Sequence, residues 1–121
     1  MSYVDGFVAA VPDKNKVLYV EHTQRVAEVF IEYGAVQYVE CWGDDVPDGK
    51  VTSMKMAVKL EEGETVVFSW ITWPSKEIRD QMVPQVMQDP RVVAELDMMP
   101  FDGSRLIFGG FEVIVNQGEG E

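Results

Sequence analysis

The sequence has one cysteine and one histidine in 121 residues, and it has no long hydrophobic run. A lone cysteine excludes an intramolecular disulfide, and one histidine with one cysteine cannot form a structural zinc site. No apolar stretch approaches the roughly 18 residues of a membrane span, and no basic leader precedes the short apolar stretch at the N-terminus. We therefore expect a cytoplasmic protein that does not enter a membrane.

Basic residues are also scarce. Ten lysines and arginines stand against 21 acidic residues, which gives a formal net charge of −11. Such a charge repels phosphate polymers and anionic lipid surfaces, and the basic residues form no cluster interleaved with aromatic ones. The composition therefore argues against nucleic acid or a membrane as a partner, and the acidity mainly favours solubility.

What is present is the composition of an ordinary globular domain, with 46% hydrophobic and 26% charged residues. A chain of this length is long enough to bury a substantial core. It contains no internal repeat and no linker-like stretch in its middle. We expect a single domain over residues 1–116, followed at 117–121 by an acidic tail that frays.

Hydrophobic periodicity predicts the element order β-α-β-β-β-α-β, close to the split βαβ plan of ferredoxin-like domains. A long helix is expected over 13–33, ending at Gly34. A second helix should begin after Ser75, kink or break at Pro84, and be followed by a further turn or two after Asp89-Pro90. The predicted strands cover 3–11, 35–42, 52–60, 65–73 and 105–115, with 52–60 and 65–73 paired as a hairpin.

Two of the predicted strands, 3–11 and 65–73, are apolar on both faces. In this topology the two helices cover the same side of the sheet, so the other side needs a separate cover. An exposed apolar patch of that size is unusual on a soluble monomer. We therefore expect a homodimer in which a second copy covers the sheet.

Four stretches resemble the small uncharacterised bacterial family typified by YbaA, and they occur in order over nearly the whole chain. The resemblance implies an α+β fold, with a ferredoxin-like antiparallel sheet, helices on one face, and two facing sheets in a dimeric α+β barrel. The wider superfamily includes cofactor-independent monooxygenases, haem-degrading enzymes, lactone isomerases and proteins without known activity, so the fold does not choose a reaction. The stretches are YVDGFVAAVP at 3–12, VECWGDDVPDGKVTS at 39–53, VVFSWITWPSKEIRD at 66–80 and MPFDGSRLIFGGFE at 99–112.

Three residues are candidates for acid–base chemistry. His22, the single histidine, lies beside the apolar stripe of the first helix and three residues before Arg25, a candidate ligand-binding residue. Imidazole titrates near neutrality, although a half-buried or surface position without chemistry is the commoner role. Asp5 shares a strand face with aromatic residues, so its carboxylate needs a partner; a structural bond to an arginine such as Arg105 is favoured over catalysis. Glu40 is the third candidate.

An aromatic pocket is predicted around Glu40. Tyr38, Glu40 and Trp42 alternate onto one face of the second strand, and Trp70 is expected to approach from the strand at 65–73. Aromatic rings around one carboxylate suit a planar organic ligand, but tryptophan and tyrosine also fill cores and dimer interfaces. Two hypotheses follow, a small-molecule-binding protein that acts as a cofactor-independent enzyme and a non-catalytic structural or protein-interaction domain. The residues do not decide whether the protein is an enzyme.

The acidic loop at 44–49 invites comparison with a calcium site. Asp44, Asp48 and Gly49 match three positions of an EF-hand loop. Val46 and Lys55 then occupy positions that require oxygen ligands, so the match fails. The Gly109-Gly110 pair lies within a strand and does not form a phosphate loop. We expect neither a metal nor a cofactor.

Overall fold

The structure is a computed structural model that describes residues 2–118, in which four antiparallel strands form one open sheet. The strands are β1 (Tyr3–Pro12), β2 (Gln37–Trp42), β3 (Glu64–Trp73) and β4 (Ile107–Glu112). The helices are α1 (Lys16–Glu32), α2 (Met54–Ala57), α3 (Lys76–Gln88) and α4 (Pro90–Leu96). The order across the sheet is β2-β3-β1-β4, so two βαβ units interleave as in the split βαβ plan. The expected α+β class is confirmed.

The long helix of the first βαβ unit begins after a single 3-10 turn at Asp13–Asn15. Its predicted apolar stripe faces the sheet, since Tyr19 and Phe30 are buried and Val26 packs against the core. Gly34 follows the helix with a φ of 110°, a conformation that strongly favours glycine. The stop signal in the sequence therefore marks the end of α1.

The helical region after β3 begins where the sequence predicts. The hydroxyl of Ser75 accepts a hydrogen bond from the backbone N–H of Ile78 at 3.2 Å, and the Asp89 side chain caps α4 by accepting from the N–H of Arg91. Of the two alternatives expected at Pro84, the break is wrong, because α3 continues through this residue to Gln88, and the kink stays a prediction. Proline removes one backbone donor, and burial of Val86 holds the rest of the helix on the core.

The predicted strand at 52–60, and with it the hairpin to 65–73, is wrong. The segment contains the short helix α2, in which the Ser53 hydroxyl accepts from the N–H of Met56 at 3.0 Å. Met54 and Met56 are exposed rather than aligned on a buried face. Methionine, lysine and alanine favour helix over strand, and here that propensity prevails over an alternating pattern. Instead of the predicted hairpin partner, β3 pairs with β1 on one side and with β2 on the other.

The last strand is shorter than predicted, because residues 103–105 form a 3-10 turn and β4 ends at Glu112. Gly110 lies opposite Asp5 in the β1–β4 register. A Cβ atom at Gly110 would collide with the Tyr3 hydroxyl and lie 2.9 Å from Nη2 of Arg79. The glycine therefore makes room for two side chains that pack across the sheet. Residues 119–121 of the predicted acidic tail lie outside the described residues.

The two faces of the sheet differ in what covers them. We call the face beneath α1, α3 and α4 the inner face; it carries the main core around Trp73, Ile71 and Phe30. The opposite face is the outer face. At one end of it, Val58 and Leu60 from the segment after α2 cover Ala10 and Val66. The remainder of the outer face has no cover from this chain among residues 2–118, and its exposed side chains include Phe68, Ile107 and Phe111.

No helix within residues 2–118 combines the length and the apolar character that a transmembrane span requires.

Candidate functional site

A groove and a cavity meet at Glu40 on the inner face of the sheet. The groove, of about 260 Å³, lies between α1 and β2. The cavity, of about 150 Å³, lies between the helices and the sheet, and its walls include Phe7, Phe30 and Phe101. Glu40 belongs to both spaces, as do Tyr19, Thr23 and Tyr38. The carboxyl group is therefore shared by two partly open spaces.

The Glu40 carboxyl group is held by two tyrosines. The Tyr19 hydroxyl, from α1, donates to Oε1 at 2.7 Å, and the Tyr38 hydroxyl, from the same strand, donates to Oε2 at 2.9 Å. Ser69 lies directly across from Glu40 on β3 and is buried. One carboxyl oxygen is thus fixed from the helix and the other from the sheet. This leaves little freedom for the side chain to turn away from the cavity.

Burial raises the pKa values of Glu40 and of the two tyrosines that bind it. Desolvation raises the pKa of Glu40 above its ordinary value, and the hydrogen bonds from Tyr19, Tyr38 and Ser69 oppose that rise in part. Burial, together with the neighbouring Glu40 charge, also raises the pKa values of Tyr19 and Tyr38 far above those of free tyrosine. The two tyrosines therefore remain protonated donors at neutral pH. A carboxyl group with a raised pKa in a cavity is suited to proton transfer.

His22 lies on another wall of the same cavity. Its side chain is buried, and Nδ1 lies 2.9 Å from Oε1 of Glu95 on α4. Arg25 also binds Glu95, through Nε and through Nη2, and its contact lowers the pKa of that carboxyl group. An imidazole oriented through Nδ1 by a carboxylate keeps Nε2 for a second partner. The arrangement thus gives the cavity an oriented imidazole.

Asp5, the remaining acid–base candidate, has a structural partner. Its buried carboxylate accepts from Nη2 of Arg79 at 2.7 Å and from the indole N–H of Trp73 at 3.0 Å. The expectation of an arginine partner holds, but the named example, Arg105, binds Glu64 instead. Asp5 does not line the cavity at Glu40. Its geometry is that of a buried ion pair that ties β1 to α3.

The predicted ligand-binding residues do not all meet. Tyr38 and Trp42 line the groove beside Glu40, as alternation along β2 predicts. Trp70 points to the outer face, where its indole N–H donates to Gln37 and its ring lies 5.6 Å from that of Phe68. Arg25 is largely exposed and is engaged with Glu95. The structure therefore gathers two of these four residues at Glu40.

Two side chains at the site are not predicted by the sequence. Tyr19 is recognisable there only as a member of the apolar stripe of α1, and its hydroxyl bond to Glu40 links residues 21 positions apart. Glu95 lies 73 positions from His22 and has no local signal at all. The face shared by Tyr19, His22 and Thr23 at helical spacing was the one available clue. Within residues 2–118, no group of three or more histidine, cysteine, aspartate or glutamate side chains could hold a metal ion.

Comparison with known proteins identifies the family of the chain. Residues 2–103 match the family described as a protein of unknown function (DUF1428). The chain belongs to this family. It is also 56% identical over 117 residues to the uncharacterized protein YbaA of Escherichia coli (strain K12), an alignment that covers 97% of this chain and all of YbaA. The same identity and coverage hold for the uncharacterized protein YbaA of Shigella flexneri. The resemblance seen in the sequence motifs is confirmed.

The matched region contains the polar residues of the candidate site. Glu40, its two tyrosines, His22 and Glu95 all lie within residues 2–103, whereas β4 lies beyond them. The DUF1428 family is named for its unknown function, so membership adds no reaction and no ligand. Any functional conclusion rests on the geometry around Glu40.

Proposed function

We propose that this protein is a homodimer that binds a compact planar organic molecule in the cavity of each subunit. The observation that carries the proposal is the Glu40 carboxyl group, fixed by Tyr19 and Tyr38 where the groove meets the cavity. Ligand sites are typically concave and apolar with a few convergent polar groups, and this site has that character. The proposed location is the cytoplasm, in keeping with the single cysteine.

The cavity also supports an enzymatic form of the proposal. His22 and Glu40 carry two proton-transfer groups and line one small space. His22 is oriented by Glu95, and the raised pKa of Glu40 brings that group closer to neutral pH. An acid and a base on the two sides of a bound molecule would move a proton without a cofactor. We propose His22 and Glu40 as the catalytic pair.

The homodimer is supported by the outer face of the sheet. Its exposed apolar side chains include Phe68 at 41% and Phe111 at 61% exposure. Alternation along the strands puts no charged residue on this face except Glu64 at its far end, where Arg105 binds it. In a chain of net charge −11, a charge-free surface is where two copies can meet without repulsion. A second copy is therefore the occupant that fits, and two facing sheets would give the dimeric α+β barrel.

A ligand screen by thermal shift tests the binding proposal, because a molecule that binds only the native state must raise its melting temperature. The variant Val26→Phe should remove the response, since Val26 lines the cavity and the added ring fills it. Val17→Phe is the matched control, because Val17 is 69% exposed on the same helix. If every hit shifts both variants equally, the cavity is not the binding site, and the assembly hypothesis takes its place.

A further inference from the structure

The Glu40 carboxyl group has hydrogen-bond partners but no countercharge. The groups that bond to it in the structure, Tyr19, Tyr38 and Ser69, are all neutral hydroxyls. Within residues 2–118, no lysine, arginine or histidine nitrogen lies within the 4.0 Å of an ion pair with Glu40. Lys16, which lines the groove, has its Nζ atom over the Trp42 ring, 5.0 Å from the ring centroid. The four arginines, Arg25, Arg79, Arg91 and Arg105, are all paired with other carboxylates.

The carboxylate also has free acceptor capacity. The two carboxylate oxygens carry four lone pairs in all, and three hydroxyl groups, those of Tyr19, Tyr38 and Ser69, leave one of them free. One further donor can therefore approach the carboxylate without displacing a tyrosine. A charged donor is preferred at this position, because a half-buried anion without a cation gains most from one.

The walls of the cavity suit a positively charged molecule. The rings of Phe7, Phe30 and Phe101 line it together with Tyr19 and Tyr38. The face of an aromatic ring attracts a cation, and more strongly where water is excluded. The net charge of −11 also draws cations toward the protein and disfavours anions. The aromatic walls of the cavity and the net charge of the protein thus both favour a positively charged ligand.

The size of the cavity limits the ligand. Its volume is about 150 Å³, and engineered apolar cavities of about that size hold a benzene molecule. The groove beside Glu40 adds an opening of about 260 Å³. A single ring with a short arm would therefore fit with its arm at the carboxyl group.

We propose that the ligand of this cavity is a compact organic cation, whose protonated amine binds Glu40 and whose apolar or aromatic body lies among the phenylalanine and tyrosine rings. This inference rests on the proposed small-molecule function, and it names the chemical class. The raised pKa of Glu40 agrees with it, because burial raises this pKa and no neighbouring cation opposes the rise. The bound cation would reverse that shift.

Isothermal titration calorimetry with three matched probes tests the proposal: benzylamine, which is protonated at neutral pH, benzyl alcohol, which is neutral, and benzoate, which is an anion. We expect benzylamine to bind the wild type at least about tenfold more tightly than benzyl alcohol, since an ammonium group adds charge attraction to the hydrogen bond that a neutral hydroxyl makes with the same carboxylate. Benzoate should bind most weakly. The variant Glu40→Gln should abolish the preference for the amine. Glu21→Gln, which removes an exposed charge from α1 outside the cavity, should preserve it.

Each other outcome overturns a specific statement. Equal affinity of the wild type for benzylamine and benzyl alcohol overturns the cation proposal, and leaves the binding function standing if Val26→Phe abolishes both. If a folded Glu40→Gln variant still prefers the amine, another group recognises the amine, and the cation proposal is again overturned. If none of the three probes binds the wild type, both the cation proposal and the small-molecule function fail. Should Glu40→Gln not fold, the comparison of probes on the wild type still decides.

Discussion

The ion pair between Asp5 and Arg79 should make a measurable contribution to stability, and Arg79→Met tests it. Asp5 is buried and binds the arginine in a fork, at 3.1 Å from Nε and 2.7 Å from Nη2. In the variant the carboxylate would retain only the indole N–H of Trp73. Breaking a fully buried pair costs about 3–5 kcal/mol. The Arg79 side chain is 27% exposed, so we expect a loss of about 2 kcal/mol.

Urea unfolding measures this loss. A change of about 2 kcal/mol corresponds to a fall in melting temperature of roughly 8 °C in a domain of this size. Asp5→Asn and the double variant complete a thermodynamic cycle, in which the double variant should lose less than the sum of the two single ones. Lys76→Met is the matched control, because Lys76 forms an exposed i,i+4 pair with Asp80 on the same helix.

A small effect of Arg79→Met on the free energy of unfolding would refute this reasoning. If Arg79→Met lowers the free energy of unfolding no more than Lys76→Met does, the pair between β1 and α3 is not a stabilising contact. A thermodynamic cycle in which the two single losses simply add would also contradict a coupling between Asp5 and Arg79. Asp5 would then be open to a role other than the structural one.

Three further predictions concern the interface and the site. Phe68→Lys should weaken the dimer and lower the mass seen by light scattering, whereas Val17→Lys, at an exposed position of α1 on the other side of the sheet, should not; equal masses would contradict the interface. Burial raises the pKa of Glu40, so its ionisation disfavours the folded state, and wild type should lose stability relative to Glu40→Gln as the pH rises from the pKa of Glu40 in the unfolded chain through its pKa in the folded protein. A stability difference between the two proteins that stays constant with pH in urea unfolding would contradict this. Arg25 lowers the pKa of Glu95, so the stability contributed by Glu95 should be present above the unfolded pKa and be lost as pH falls; Glu95→Gln should therefore match wild type only in acid.

Much of the fold was predictable because its signals are local. The apolar stripe of α1, the glycine that ends it and the Ser75 cap of α3 all act within a few residues. The two strands that are apolar on both faces, β1 and β3, occupy the centre of the sheet. These elements need no knowledge of the rest of the chain.

The segment around α2 was not predictable from alternation. Apolar residues at every second position suggest a strand, but they are methionines separated by a lysine and an alanine, which have good helix propensity. The outcome depends on what the segment packs against, and only Val58 and Leu60 reach the outer face. Tertiary packing therefore decided what the local pattern left ambiguous.

Only part of the candidate site could be predicted from the sequence. Alternation along β2 put Tyr38, Glu40 and Trp42 on one face, and the structure agrees. The partners that give the site its chemistry come from distant segments, Tyr19 from α1 and Glu95 from α4. Which arginine meets Asp5 is likewise a matter of how α3 lies on the sheet. Sequence spacing carries no information about such contacts.

Native mass spectrometry of the protein purified from its own host tests the small-molecule function most directly, because one spectrum reports both oligomer and retained ligand. The proposed function predicts a mass of about twice the 13.7 kDa chain, increased by a small organic molecule for each occupied subunit. The added mass should be absent from Val26→Phe and present in Val17→Phe. A wild-type spectrum that contains only the bare chain mass, with no difference between the two variants, would contradict it.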